Sequence, residues 1–451
     1  MSRITVNNEN SCDTLYTRLI RIWLLTILLI LPFQKSISSY VASISILKAI
    51  NYLEEITIVS TFSILLVTFF KKRILPNNTS MLFLTLFVFC LCGLLSGAFN
   101  NNSPYVTLIG MFDYVKNFLV IIIYAAFCRE FSEFKKIFRL LLIIATVLGA
   151  LALLEFTWAM GNVYVLDKKI TDQGIYLFSN IDVSDIITLK DVYWRYGIFR
   201  SPNAYGLFIL LILTIYFYTE KRVNTIIAFI QIVGIIASNL RRAYAGLIFV
   251  VISLLITMRK LTMLFLLFMV IFGITWKYMS NDFSLYSTYR SYLPENEATI
   301  DLNDIRTYSR YKSMEIWKDH PVWGVGPGMF GGIVSLKFNS TVYSDYNYKL
   351  MGILKKNGTI EDFWFQVLAE LGITGSLCFI MFILTLFTVL YYARDRSVDY
   401  ELNKLFSGLM IFTICVIFFS IGGGINISAV LYTFCAFVGI GLGCLSKQSV
   451  D

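Results

Sequence analysis

Long apolar runs separated by short polar segments occupy most of this chain. Charged residues are rare inside the runs and gather between them, a pattern typical of helices that cross a lipid bilayer. Crossing about 30 Å of hydrocarbon takes about 20 helical residues. Twelve runs reach or approach that length, at residues 18–36, 53–70, 80–98, 107–127, 138–158, 203–219, 223–239, 243–257, 261–279, 363–392, 403–421 and 425–445. The pattern predicts an all-α, polytopic integral membrane protein with about twelve transmembrane helices.

The composition agrees with a membrane protein and excludes the soluble classes. The 451 residues are 57% hydrophobic and 15% charged, with a mean hydropathy of +0.70. Soluble domains carry about 25% charged residues, so this chain has too little charge for a water-facing surface. The eight cysteines fall in apolar runs or in segments expected in the cytosol, where disulfides are rare. No internal repeat or linker divides the sequence, and residues 1–451 are predicted to form a single transmembrane domain.

Basic residues mark every second loop between the predicted spans. They occur in Lys71–Arg73, Arg129–Arg139, Lys221–Arg222, Arg259–Lys260 and Arg394–Lys404 and at Lys447. The opposite short loops, such as 100–104 and 422–426, carry none. Because cytoplasmic loops are enriched in Lys and Arg, both termini are predicted to be cytoplasmic. The net charge of +9 therefore reports membrane orientation, and we predict no nucleic-acid partner.

One basic pair, Arg241 and Arg242, breaks this alternation. It lies between two spans on the side where short loops otherwise lack basic residues. In one interpretation, these side chains only extend to the outer headgroups, as long basic side chains do. In the interpretation favoured here, they form an anion clamp at the outer surface, because arginine binds phosphate oxygens through two parallel hydrogen bonds.

Two long segments, at about 160–202 and 280–362, interrupt the series of short loops, and both fall on the outer side. Loops of this length are usually functional. The first contains Arg195 and Arg200 and leads to Asn203, where the next span begins. Asn203 suits a helix start for purely structural reasons. A helix N-terminus beside arginines also suits an anion, and we include all three residues in a candidate substrate site.

The second long segment contains a predicted helix followed by a glycine-rich turn. Arg306, Arg310 and Trp317 recur at helical spacing, and three glycines within residues 324–328 end that helix in an irregular turn. No strand precedes the glycines, so they do not indicate a dinucleotide site. His320 is the only histidine, which excludes zinc sites with several imidazoles and favours a helix-end role. We predict no metal ion and no cofactor, and place Arg306, Arg310 and His320 among the candidate substrate-binding residues.

Two carboxylates, Glu361 and Asp362, stand where the chain enters the span at 363–392. Partial desolvation at a membrane interface suits a carboxylate to general base catalysis. Alternatively, their charge only complements the positive end of the helix dipole. Glu370 lies further along, inside the apolar run, where a carboxylate needs a partner. We predict Glu361 first, and Asp362 second, as the catalytic base.

Taken in order, these segments resemble the O-antigen ligase and polymerase superfamily. Its pattern has an Arg-x-Gly-x-Phe-x-x-Pro-Asn stretch, an Arg-x-Ala turn, a large outer loop with alternating glycines, and a polar pair before a Glu-Leu-Gly helix. The matching residues here are Arg195, Gly197, Phe199, Pro202, Asn203, Arg241, Arg242, Ala243, Arg310, Trp317, Pro321, Gly324, Gly326, Gly328, Phe330, Glu361, Asp362, Glu370, Leu371 and Gly372. The resemblance covers about residues 194–375.

The resemblance implies a GT-C-like glycosyltransferase of the bacterial inner membrane, with its active site facing the periplasm. Ligases of the superfamily carry His-Asn where this chain has Glu361 and Asp362, which favours the Wzy-type O-antigen polymerase branch. Such an enzyme of lipopolysaccharide biosynthesis joins repeat units linked to undecaprenyl pyrophosphate. It works without metal, and arginines neutralise the leaving group. The implied partners are lipid-linked glycans and the bilayer, with a chain-length regulator protein as a further candidate.

Two other functions stay open at this point. One is an O-antigen ligase, which transfers glycan to lipid A-core and is disfavoured here by the missing histidine. The other is a flippase or transporter of the polysaccharide pathway. Transporters tend to show internal repeats and polar residues near mid-membrane, whereas the polar residues here concentrate in the two outer segments.

Overall fold

The computed structural model describes residues 15–34, 52–72, 79–163, 202–238, 240–258, 300, 305–357, 360, 362–421 and 428–448. These residues confirm an all-α fold. We number the helices in chain order as α1 (Leu15–Ile30), α2 (Leu53–Lys72), α3 (Ser80–Phe99), α4 (Pro104–Phe127), α5 (Phe131–Val163), α6 (Pro202–Thr219), α7 (Thr225–Ala237), α8 (Arg241–Met258), α9 (Ile305–Asp319), α10 (Ile333–Lys337), α11 (Val342–Asp345), α12 (Met351–Asn357), α13 (Phe363–Arg396), α14 (Tyr400–Ile421) and α15 (Ser428–Gln448).

The predicted spans agree with the helices wherever the structure describes them. Eleven of the twelve coincide with a helix, and the twelfth, 261–279, lies outside the described residues. Within the described ranges, seven helices are long and apolar enough to cross a membrane by length and composition: α1 with its 3₁₀ extension, α3, α4, α5, α13, α14 and α15. Helices α6, α7 and α8 are apolar but shorter. The protein is therefore a multi-pass membrane protein, and the count of twelve spans stays a prediction.

Helix α4 is an inner helix of the bundle, and glycines allow α15 to approach its backbone. A Cβ built on Gly439 would lie 2.5 Å from the carbonyl oxygen of Ile121, and one on Gly443 would lie 2.5 Å from that of Cys128. Small residues four apart permit this close packing inside a membrane, where lipid gives helices no hydrophobic reason to associate. Most α4 side chains are buried as a result.

Loops that were predicted to be cytoplasmic meet at one end of the bundle. Lys135, near the start of α5, forms an ion pair with Glu401 at the start of α14. Lys221, after α6, lies 5.9 Å from the centre of the Tyr400 ring. The turn between α3 and α4 lies at the opposite end, because α4 separates it from the loop before α5. The helix ends are thus grouped as the alternating basic loops predict.

Within the predicted outer loop at 280–362, residues 305–357 form a small helical unit with its own core. Its centre is a cluster of four aromatic rings whose neighbouring centroids are 5.2 to 6.0 Å apart: Tyr308, Phe330, Tyr343 and Tyr348. Aromatic side chains bury large areas, which explains how so short a segment forms a core. Of the other predicted loop, 160–202, residues 164–201 lie outside the described residues, between the end of α5 at Val163 and the start of α6 at Pro202.

Candidate active site

A break in α13 receives the glycine-rich turn, here taken as residues 324–331 between α9 and α10. Gly372 has φ 62° and ψ −162°, so regular helix stops there. The carbonyl oxygens just before the break accept hydrogen bonds from the turn, from Val325 N to Ala369 O at 2.9 Å and from Gly326 N to Glu370 O at 2.7 Å. Buried backbone groups must find partners, so the break and the turn stabilise each other.

The turn can approach α13 this closely only because Gly324 lacks a side chain. Gly324 has φ +65°, and a Cβ there would lie 2.4 Å from the carbonyl carbon of Glu370. Two asparagines of the α3–α4 turn hold the other side. Asn100 Nδ2 donates to Gly324 O at 2.8 Å, and Asn102 Nδ2 donates to Val325 O at 2.7 Å. The glycine-rich turn is therefore fixed between α13 and the end of the bundle that carries the α3–α4 turn.

The Glu370 carboxylate is the polar centre of this junction. It is completely buried. Its Oε1 accepts a hydrogen bond from the backbone N–H of Phe330 at 2.8 Å, and its Oε2 accepts one from the Tyr114 hydroxyl at 2.6 Å. Gln366 also forms a side-chain hydrogen bond to it. A carboxylate inside an apolar run was expected to have partners. They are Gln366 on α13, the backbone of Phe330 in the turn and Tyr114 on α4.

Arg310 and Asp362, both predicted site residues, form a bidentate ion pair. Arg310 Nε lies 3.0 Å from Asp362 Oδ2, and Arg310 Nη2 lies 3.1 Å from Asp362 Oδ1. The two side chains are only 6% and 1% exposed. The guanidinium carbon also lies 5.8 Å from the centre of the Phe365 ring. This parallel arrangement is the strong form of an arginine–carboxylate contact, and it ties α9 to the start of α13.

The backbone just before α13 is held by the same turn. Ile360 N donates to Gly331 O at 3.0 Å, and Asp362 N donates to Ile360 O at 2.7 Å. Gly331 N in turn donates to the Tyr343 hydroxyl at 2.9 Å. Burial raises the pKa of Tyr343, so this hydroxyl stays protonated. Glu361 itself lies outside the described residues, but the residue on each side of it is fixed.

Arg242 is connected to the start of α13 through the end of α14. Its Nη1 donates to Phe419 O at 3.3 Å. The next residue, Ser420, accepts a hydrogen bond at its Oγ from Trp364 Nε1 at 2.6 Å. Arg242 therefore lies at the same end of the bundle as Asp362.

Arg306 and His320 lie on and directly after α9. Arg306 is exposed one helical turn before Arg310. His320 is partly exposed, and its backbone N donates to Ile316 O at 3.0 Å, which confirms its predicted place at a helix end. Other predicted site residues are less fully defined. Arg195, Arg200 and Glu361 lie outside the described residues, and the structure describes Asn203 and Arg241 as helical backbone only.

Three residues of the junction were not identified from the sequence. Asn100, Asn102 and Tyr114 hold the glycine-rich turn or the Glu370 carboxylate. The signal for the asparagines was an unusual run of polar, uncharged residues in the short segment between α3 and α4. Tyr114 carried no such signal, because an aromatic residue inside an apolar helix is ordinarily a packing residue.

In the part of the chain that the structure describes, no group of three or more His, Cys, Asp or Glu residues could hold a metal ion. A buried arginine and further arginines at helix ends offer donors for an anion instead.

A comparison with protein-family models finds a match in this part of the chain. Residues 207–380 match the model of the family described as O-antigen ligase. The matched segment runs from α6 past the break in α13, so it includes the glycine-rich turn, Arg310 and Asp362 but begins after Asn203. A search of curated proteins finds no match. The family match confirms the resemblance inferred from the sequence motifs.

Proposed function

We propose that this chain, which matches the O-antigen ligase family over residues 207–380, is an O-antigen polymerase. It would join undecaprenyl-pyrophosphate-linked repeat units at the periplasmic face of the bacterial inner membrane. The observation that carries the proposal is the acidic pair Glu361 and Asp362 at the entry to α13, where ligases of the superfamily carry His-Asn. The ion pair of Asp362 with Arg310 supports a built site at this entry.

The reaction exchanges one bond to the anomeric carbon of the donor sugar for another. A hydroxyl of the acceptor repeat unit attacks that carbon and forms the new glycosidic bond. The bond from the carbon to the pyrophosphate oxygen breaks, and undecaprenyl pyrophosphate leaves as the anion. Glu361 takes the hydroxyl proton in this proposal. Asp362 is the second choice, because both of its oxygens already accept hydrogen bonds from Arg310.

Arginines supply the charge that the leaving pyrophosphate requires. In our proposal, the main contacts come from Arg195, Arg241 and Arg310, and Arg200, Arg242, Arg306, Asn203 and His320 assist. Arg310 commits its Nε and Nη2 to Asp362, so part of its role is to position the start of α13. Donors arranged before the reaction stabilise developing negative charge without reorganisation, and this allows a mechanism without metal.

The product formed in cells tests the proposal. In a strain that lacks the gene, lipopolysaccharide should carry a single repeat unit on its core, because attachment continues while polymerisation stops. Bare core with accumulated lipid-linked polymer would identify a ligase instead. Bare core without lipid-linked polymer would identify a transporter. Complementation with the wild-type chain should restore long polymers.

Labelling of introduced cysteines tests the proposed orientation. Lys337→Cys lies on the exposed surface of α10, and Val398→Cys lies between α13 and α14, where Val398 is 92% exposed. A membrane-impermeant maleimide added to cells with a permeable outer membrane should label Lys337→Cys directly. It should label Val398→Cys only after the inner membrane is opened. The reverse pattern would invert the topology and rule out a periplasmic active site.

A further inference from the structure

We propose that Glu370 is a positioning residue that holds the backbone on both sides of Glu361 through the glycine-rich turn. The inference rests on the proposed function for its catalytic consequence. Its structural part stands on the contacts alone and is tested separately below.

The path from Glu370 to the proposed base runs through consecutive backbone contacts. Glu370 Oε1 holds the N–H of Phe330 at 2.8 Å. The next residue, Gly331, accepts the N–H of Ile360 at 3.0 Å. Ile360 precedes Glu361 directly, and its carbonyl oxygen accepts the N–H of Asp362 at 2.7 Å. Each step is either a covalent neighbour or a hydrogen bond, so a shift of Phe330 is passed on to Ile360 and Asp362, the two residues next to Glu361 in the sequence.

Glu370 is itself fixed, which is necessary for it to position other groups. The Tyr114 hydroxyl on α4 donates to its Oε2 at 2.6 Å. Its own carbonyl oxygen accepts the N–H of Gly326 at 2.7 Å. Glu370 therefore links helix α4 to both halves of the glycine-rich turn, through its carboxylate and its backbone carbonyl. Gly331 and Ile360 are closely packed and have little room to move relative to each other, because a Cβ on Gly331 would lie 2.8 Å from Ile360 Cδ1.

Two substitutions separate positioning from proton transfer. Glu370→Leu removes both acceptors at similar volume, and we expect kcat to fall by about 10²-fold, since a misplacement of about 1 Å can cost that much. Glu370→Gln keeps an acceptor for the Phe330 N–H and should stay within about tenfold of wild type. If Glu370→Gln were as impaired as Glu370→Leu, the carboxylate would be acting through its charge or proton, and the positioning role would be wrong.

Hydrogen exchange of the full-length protein gives a readout that does not depend on activity. In Glu370→Leu, the amides of Ile360 and Asp362 should exchange faster, while amides of α9 keep their protection. Thr374→Val is the matched control, because Thr374 Oγ1 donates to Val322 O at 2.7 Å on the far side of the break. The control should leave Ile360 and Asp362 protected. Unchanged exchange in Glu370→Leu, or an increase throughout the chain, would overturn the proposal.

A second variant keeps the test decisive if Glu370→Leu does not fold. Tyr343→Phe removes the acceptor of the Gly331 N–H, which lies on the same path, and should also speed exchange at Ile360. No change there would contradict the path.

A double-mutant comparison distinguishes this inference from the proposed function. In a Glu361→Ala background, Glu370→Leu should lower the rate no further, because the group that it positions is gone. Additive losses would show that Glu370 acts elsewhere. If Glu361 proved dispensable, the exchange result would still decide the structural part.

Discussion

Replacing Arg310 by methionine will destabilise the protein by about 3–5 kcal/mol and abolish polymer formation, because the buried Asp362 carboxylate loses its bidentate guanidinium partner. The Asp362 side chain is 1% exposed and faces Arg310 with both oxygens. Arg310→Lys should be almost as harmful, since an ammonium group cannot make two parallel bonds to a carboxylate. The apparent unfolding temperature in detergent measures the stability loss, and polymer length in complemented cells measures the activity.

A double substitution shows whether the loss of stability comes from the buried Asp362 charge that Arg310 no longer neutralises. The double variant Arg310→Met with Asp362→Leu should recover much of the stability, because apolar replacement of a buried pair is often neutral. It should not recover activity. Arg306→Met is the matched control, since Arg306 is exposed one turn away on the same helix, and it should barely change the unfolding temperature. A stable Arg310→Met variant, or a double variant no better than the single, would contradict the ion pair.

Features that depend on local sequence were predicted correctly. The apolar runs gave the helices of the bundle, because a run of this length has few alternatives in a membrane. Arg306 and Arg310 at helical spacing predicted α9, which the structure places at Ile305–Asp319. The three glycines predicted an irregular turn, and Gly324, Gly326 and Gly328 all have positive φ. Each of these features depends on the backbone sterics of a few neighbouring residues or on the local spacing of hydrophobic residues.

Features that depend on contacts between distant segments were not predictable. Arg310 and Asp362 are 52 positions apart, and separate roles were predicted for them, Arg310 as an anion ligand and Asp362 as a base. Gly372 was recognised as part of a motif, but its role in breaking α13 depends on the turn that docks there. A single sequence shows which residues are unusual, whereas their pairing is set by tertiary packing.

Replacing Glu361 by glutamine will lower the polymerisation rate by about 10²–10⁴-fold, the usual effect of removing a general base. Glutamine keeps the size of the side chain but cannot accept the hydroxyl proton. Glu361 is favoured over Asp362 as the base because both carboxylate oxygens of Asp362 already accept hydrogen bonds from Arg310. The assay would follow the extension of undecaprenyl-pyrophosphate-linked repeat units by purified protein in lipid nanodiscs. Binding of the lipid-linked donor should be little changed, since the base acts on the acceptor.

Asp362→Asn is the informative comparison for Glu361→Gln. It removes charge at the adjacent position but should lower stability as well, because Arg310 loses its ionised partner. Activity must therefore be compared at equal amounts of folded protein. Near-normal polymerisation by Glu361→Gln together with a specific loss in Asp362→Asn would transfer the role of base to Asp362. Near-normal polymerisation by both variants would leave His320, or no protein base at all, and the correspondence between Glu361 and the ligase histidine would then be wrong.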